Sequence, residues 1–185
     1  MFVKALFTFL ALFALVGCIN TQQAPETFYY ILDSTPQSAE HTTTAKTDGS
    51  VRHIKVNPVV LPDYLNQPNL VLKLSDHQIK IANYHFWAED LRQSIQQVLI
   101  NELNINNVAT TFAKICSGAC LTLDITIDHF YPTEDGNVML AGTYYLSDKQ
   151  VVKRFVINKS LSKGGYDEAV PVMRSLLSDL AKQIE

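Results

Sequence analysis

Twelve residues near the middle of the chain, Cys120 to Tyr131 (CLTLDITIDHFY), restrict the fold more than any other stretch. Leu121, Leu123, Ile125 and Ile127 alternate with Thr122, Asp124, Thr126 and Asp128. Side chains of an extended chain point to opposite faces in turn, so one face of this strand packs on a core and the other meets water. A half-buried strand of this length needs neighbours. Asn137 to Leu146 and Gln150 to Ile157 supply them, joined by the turn sequences Glu134-Asp135-Gly136 and Ser147-Asp148-Lys149. Leu70–Leu74 and Gln78–Ala82, separated by Ser75-Asp76-His77, predict a further hairpin, and Phe28–Leu32, Val51–Pro62 and Val108–Phe112 add strand-like segments.

Two stretches carry the helical period instead. Leu91, Ile95, Val98, Leu99 and Leu103 make one apolar stripe within Ala88–Leu103, with Arg92, Gln96 and Gln97 turned to water. Val170, Met173, Leu176, Leu177 and Leu180 make another near the C-terminus. The expected fold is α+β: a mixed, mostly antiparallel sheet of six or more strands with two helices packed on one face, a two-layer sandwich.

The N-terminus adds a constraint of location. MFVKALFTFLALFALVGC has one Lys, then an apolar run from Ala5 to Val16 broken only by Thr8, too short for the roughly 20 residues of a membrane-spanning helix. Gly17 stands directly before Cys18, with Leu15 two places before Gly17, an arrangement that resembles the lipobox of bacterial lipoproteins. In such a motif the Cys thiol is acylated and the segment before it removed. Two or more acyl chains anchor stably where one holds only marginally. The expected organisation is therefore a lipoprotein signal peptide over 1–17, a lipidated Cys18 with a polar tether to residue 27, and one domain over 28–185. Ile19 and Asn20 follow the cysteine, whereas an Asp there typically signals inner-membrane retention in bacterial lipoproteins; the expected destination is the periplasmic face of the outer membrane.

Net charge is −3, and loss of Lys4 makes the mature chain one unit more negative, so nothing suggests a nucleic-acid partner. Cys116 and Cys120 (CSGAC) form an even remainder at short spacing, which in an oxidising compartment favours a disulfide. A metal site is the rival reading and needs two further ligands. The five histidines show no H-x-x-x-H or H-E-x-x-H spacing, and no G-x-S-x-G, phosphate-binding or dinucleotide fingerprint is present. Asp124, Asp128 and His129 are the nearest thing to an acid-base set, yet unbroken alternation sends the carboxylates to one face and His129 to the other. The expectation is a non-enzyme with no metal and no cofactor.

Between the strand-like segments, Pro58, Pro62 and Pro68 stiffen a segment that holds Tyr64 and Leu65. Those two side chains either fold back onto the core or meet a partner. Tyr84-His85-Phe86-Trp87 either pins a helix to a sheet or forms a binding surface. Leu61-Pro62-Asp63-Tyr64-Leu65, Asn69-Leu70-Val71 and Tyr84 to Asp90, together with the lipobox, the early Phe28–Leu32 strand and the length, resemble the PqiC (YmbA) family of ABC-type transport auxiliary lipoproteins. Asn66-Gln67 and Phe86 stand where the family motif carries Asp-Arg and Arg. The resemblance implies a non-catalytic outer-membrane lipoprotein that docks an inner-membrane MCE-domain protein in intermembrane lipid transport. Pro62, Asp63, Tyr64, Leu65 and Trp87 would be its partner-binding or motif-supporting residues. It leaves open a homo-oligomer and contact with phospholipid. A lipid carrier that itself holds an acyl chain is the second reading, and an envelope hydrolase the third.

Overall fold

The computed structural model describes residues 24–32, 53–105, 109–112 and 120–184. The expected signal peptide, Cys18 with its expected lipid, the first part of the expected tether, the polar stretch from Asp33 and Cys116 lie outside the described residues. Eight strands and two helices follow in the order β1 (Phe28–Tyr30), β2 (His53–Val56), β3 (Asn69–Ser75), β4 (Gln78–Trp87), α1 (Leu91–Ile105), β5 (Ala109–Phe112), β6 (Leu121–Pro132), β7 (Asn137–Leu146), β8 (Val152–Ser160) and α2 (Tyr166–Ile184). The α+β expectation and both helices are borne out.

The strands divide between two sheets. One has the order β5-β2-β6-β7-β8, the other β1-β4-β3. β6–β7 and β7–β8 are antiparallel, as are β3 and β4, whereas β2 runs parallel to both β5 and β6, and β1 runs parallel to β4. The parallel pairs are long-range in sequence, which is why local patterning shows the hairpins and leaves β1 and β2 unplaced.

The alternating strand β6 carries the larger sheet. Leu123, Ile125, Ile127 and Phe130 are buried beside Leu146, Tyr144 and Leu140 of β7. Both helical stripes pack on this face: Leu91, Ile95, Val98, Leu99 and Leu103 of α1, and Val170, Met173, Leu176, Leu177 and Leu180 of α2, are all buried in one continuous core. Fully burying a side chain of this size contributes about 1.5–3 kcal/mol.

Sequence ends fit the helix termini. The Asp90 carboxylate accepts the Gln93 N–H at 3.0 Å and caps α1. Asp167 and Glu168 lie in the first turn of α2 and Lys182 in its last, each sign complementing the helix dipole. Between the helices Arg174 meets Glu102 at 2.7 Å, and Lys159 of β8 meets Asp179 of α2 at 2.6 Å.

Alternation in β6 breaks once. The register with β7 shifts between Ile127 and His129, so Asp128 is an extra residue in the strand. This corrects the expectation that His129 leaves the face of Asp124 and Asp128: all three are exposed. The bulge explains Gly142 opposite. A Cβ there would lie 2.1 Å from the Thr126 carbonyl oxygen and 3.0 Å from the Ile127 Cα, both backbone.

Gly142→Ala therefore costs about 3 kcal/mol, seen as a melting temperature about 6–12 °C lower; an unchanged melt would show that the bulged strand can retreat. The hydrogen bond from Lys159 holds the Asp179 carboxyl below its ordinary 3.8, with burial opposing and Lys182 assisting. A depressed carboxylate gives stability that is present above the unfolded value and lost as pH falls through the folded one. Asp179→Asn thus reduces the loss of stability below about pH 4, measurable by urea titration across that range.

Candidate functional site

The proline segment continues β2 as a second stretch alongside β6. Asn57 donates its N–H to Leu123 O at 3.0 Å, Val60 to Ile125 O at 3.0 Å, and Ile127 to Val60 O at 2.9 Å. Pro58, which has no N–H, falls between the two donors, while Val59 points inward and is buried. The chain then turns: the N–H groups of Leu65 and Asn66 both donate to the Pro62 carbonyl, at 3.0 and 3.1 Å.

This turn aims Tyr64 back over the bulge. Its hydroxyl donates to the Asp128 carbonyl and lies 3.4 Å from His129 Nδ1, which is itself 2.7 Å from the Tyr131 hydroxyl. The Tyr64 and Tyr131 rings sit 6.4 Å apart, and His129 meets Tyr131 edge-on at 5.5 Å. Burial, reinforced by Tyr131 and by the Asp128 charge, pushes the Tyr64 phenol up to about 12. Burial also raises the Tyr131 phenol. The hydroxyls are thus kept neutral as hydrogen-bond donors.

The rest of the segment is fastened elsewhere. Pro68 O accepts the Trp87 N–H, the Gln67 amide donates to Tyr64 O at 2.8 Å, and the Asn69 amide donates to Ala82 O at 2.8 Å. Arg92, in the first turn of α1, donates to the Asn66 side-chain carbonyl. One turn thereby joins the bulge of β6, the end of β4 and the start of α1.

The sequence-selected residues separate on this geometry. Leu65 and Trp87 are in the core, 3% and 7% exposed, and Tyr64 packs against it. Pro62 is half-buried and Asp63 is exposed. Trp87 lies at the end of β4 and not beyond it, and its strand reaches α1 through Ala88, whose N–H donates to Tyr30 O at 2.8 Å. Cys120 is disulfide-bonded, and its partner is outside the described residues.

A second aromatic cluster lies where β1 and β4 meet α2. Tyr30 donates to Asp167 Oδ1 at 3.0 Å, so its contact with His85 Nδ1 at 2.8 Å makes the imidazole the donor there. His85 stacks between Phe28 and Tyr30 and lies 4.6 Å from the Tyr166 ring. Burial first, then the Asp167 contact, pushes the Tyr30 phenol up to about 12. Alternation turns Tyr29 and Phe86 to the other side of this sheet, where their rings stack at 5.6 Å. Tyr29, Ile31 and Tyr84 are exposed there. Tyr84 belongs to the aromatic run that the sequence left between a structural pin and a binding surface; Tyr29 and Ile31 were read only as part of a strand, although apolar residues on both faces of Phe28–Leu32 were the available signal.

Asp124 receives the Asn57 amide at 2.6 Å and stays in water, and no group of three or more potential metal ligands occurs among the described residues. An open cleft of about 470 Å³ is lined by charged and apolar side chains together, among them Lys73, Leu74, Asp76, Glu134, Asp135 and Met139. No described helix is long and apolar enough to cross a membrane.

Residues 30–185 match a family model described as the ABC-type transport auxiliary lipoprotein component. The chain is 32% identical over 136 residues to the intermembrane transport lipoprotein PqiC of Escherichia coli strain K12, covering 72% of this chain and 73% of that protein. A crystal structure of an uncharacterized protein superposes with a TM-score of 0.72 at 27% identity, covering 86% of this chain and 97% of the other. A protein from Xanthomonas campestris shares the fold at a TM-score of 0.58 and 10% identity, over 72% of this chain and 80% of that one.

Tyr64→Phe loses about 1 kcal/mol by leaving the Asp128 carbonyl unpaired, whereas Leu65→Ala costs about 2–5 kcal/mol through a core cavity. The raised tyrosine gives stability that is full below its unfolded value near 10 and lost as pH rises toward 12. Tyr64→Phe consequently falls less steeply than the parent between those pH values in denaturant melts; parallel curves would place the ionisation elsewhere.

Proposed function

Because this chain belongs to the family of ABC-type transport auxiliary lipoprotein components, we propose that it is the lipid-anchored, outer-membrane element of an intermembrane lipid transport system, docked on an MCE-domain protein of the inner membrane. The observation that carries this reading is a family match from residue 30 to residue 185, preceded by a stretch that resembles an acylation motif and ends at Cys18, twelve residues before the match begins. The Escherichia coli relative, an intermembrane transport lipoprotein by name, supports the same role. In this reading residues 1–17 are removed, Cys18 carries the acyl chains, the tether runs to residue 27, and Cys116 pairs with Cys120. The role is mechanical and non-catalytic, and both self-association and phospholipid contact are compatible with it.

Burial assigns the motif residues different parts in that role. Leu65 and Trp87 hold the turn in place, and Tyr64 locks it to β6. Contact with a partner falls to what the turn leaves outside: Asp63, the exposed edge of Pro62 and, beside them, Val60, which is 58% exposed. A partner meeting this surface meets a rigid edge whose ordering cost was met on folding.

Two measurements test the reading. Mass analysis of the membrane-extracted protein should show an N-terminal acylated Cys18, and Cys18→Ala should leave the outer-membrane fraction. Val60→Asp combined with Asp63→Lys should reduce pull-down by the MCE-domain protein at least about tenfold, as expected for loss of an interface centre, with an unchanged thermal melt. Full pull-down by that double variant would remove the turn from the interface.

A further inference from the structure

The geometry points to a second membrane contact: the outer side of the small sheet, Tyr29, Ile31, Tyr84 and Phe86, lies in the headgroup region of the bilayer that holds the anchor. This rests on the acylation of Cys18 proposed above. Tyr29 is 69% exposed, Ile31 53% and Tyr84 43%. Three large side chains grouped on one sheet face, with Phe86 half-buried beneath Tyr29, form a patch and not scattered surface residues.

The length of chain before the patch selects the occupant. Phe28 lies ten positions beyond Cys18, with nine residues between them. Such a segment reaches at most about 35 Å. A patch at the first folded residues is thus held within about 35 Å of the acylated residue at all times, close enough to meet the headgroup region. Tyrosines suit this region, because the ring enters the acyl boundary while the hydroxyl stays hydrated. Charge does not oppose it: Glu26 is the one acidic residue between Ala24 and Leu32, and Lys80 is the one lysine or acidic residue of β4.

The inner side of the same sheet makes the contact orienting. Tyr30 and His85 fasten β1 and β4 to Asp167 and Tyr166 at the N-terminal end of α2. At the other end of that helix, Gln183 O accepts from Tyr144, the ladder partner of Lys153. Nineteen residues of helix span about 28 Å. Seated on its small sheet, the domain directs the β8 end of α2 away from the lipid.

The test uses the full acylated chain in vesicles of phosphatidylethanolamine and phosphatidylglycerol that contain headgroup- or acyl-spin-labelled lipid. An environment-sensitive fluorophore is attached at Tyr29→Cys, at Tyr84→Cys or, as the distant control, at Lys153→Cys; unsubstituted protein reports background labelling. Labels at 29 and 84 should be quenched at least about threefold more than the label at 153, the contrast expected between an interfacial site and one beyond it. Equal quenching at 29 and 153, with the protein floating with the vesicles, overturns this contact and leaves the anchor intact. Failure of the full chain to float overturns the anchor and this contact with it. A label response that follows protein concentration in lipid-free detergent assigns the patch to a second copy of the chain, and one that appears only on adding the MCE-domain protein assigns it to that partner; either overturns the membrane contact.

Discussion

The backbone of β6 is the part on which the other elements depend. It is paired on both sides, parallel to β2 and antiparallel to β7, so its polar groups are satisfied across most of its length. Its inward side chains are among the most deeply buried in the protein and share one core with the stripes of both helices. The small sheet is joined to it where Lys73 of β3 bridges Thr133, just past the end of β6, with the Glu134 N–H donating to Lys73 O at 2.9 Å. Displacing β6 would therefore separate the two sheets as well as open the core.

The bulge at Asp128 converts this spine into a docking point for the proline turn. An extra residue leaves a carbonyl outside the regular ladder, and Tyr64 supplies its donor. The remaining side of the turn is held by Gln67, Asn69, Trp87 and Arg92. Motif residues that suggested an interface when seen in sequence act first as fasteners. This does not oppose a docking role, since a surface that must meet a partner gains from a framework that leaves it little freedom to lose.

The protein's surfaces also differ in kind. The cleft beside Asp76, Glu134 and Asp135 is charged, and hydrogen bonds from Thr133 and Asn137 hold the Asp135 carboxyl below its ordinary range. The outer side of the small sheet is aromatic and sits next to the tether. The turn edge at Val60 and Asp63 lies on neither. A lipid-anchored protein engaged with a membrane and a partner needs two separate contact regions, and the fold provides candidates for both.

Much of this was legible in the sequence, for a physical reason: period-two and period-3.6 burial are consequences of local geometry, so β6, β7, the β3–β4 hairpin and the stripes of α1 and α2 could be read from spacing alone. Gly17-Cys18 needed only covalent chemistry to suggest an anchor. Parallel pairing of β1 with β4 and of β2 with β6 was hidden, because those contacts join segments far apart in the chain. The bulge that brought His129 to the face of Asp124, the burial of Leu65 and Trp87, and the exposure of Tyr29 and Tyr84 were hidden too. Each depends on which neighbour covers a face, and an alternating pattern carries no information about neighbours. Sequence alone determined the elements and suggested an attachment point; packing between distant strands decided which apolar residues became core and which were left at the surface.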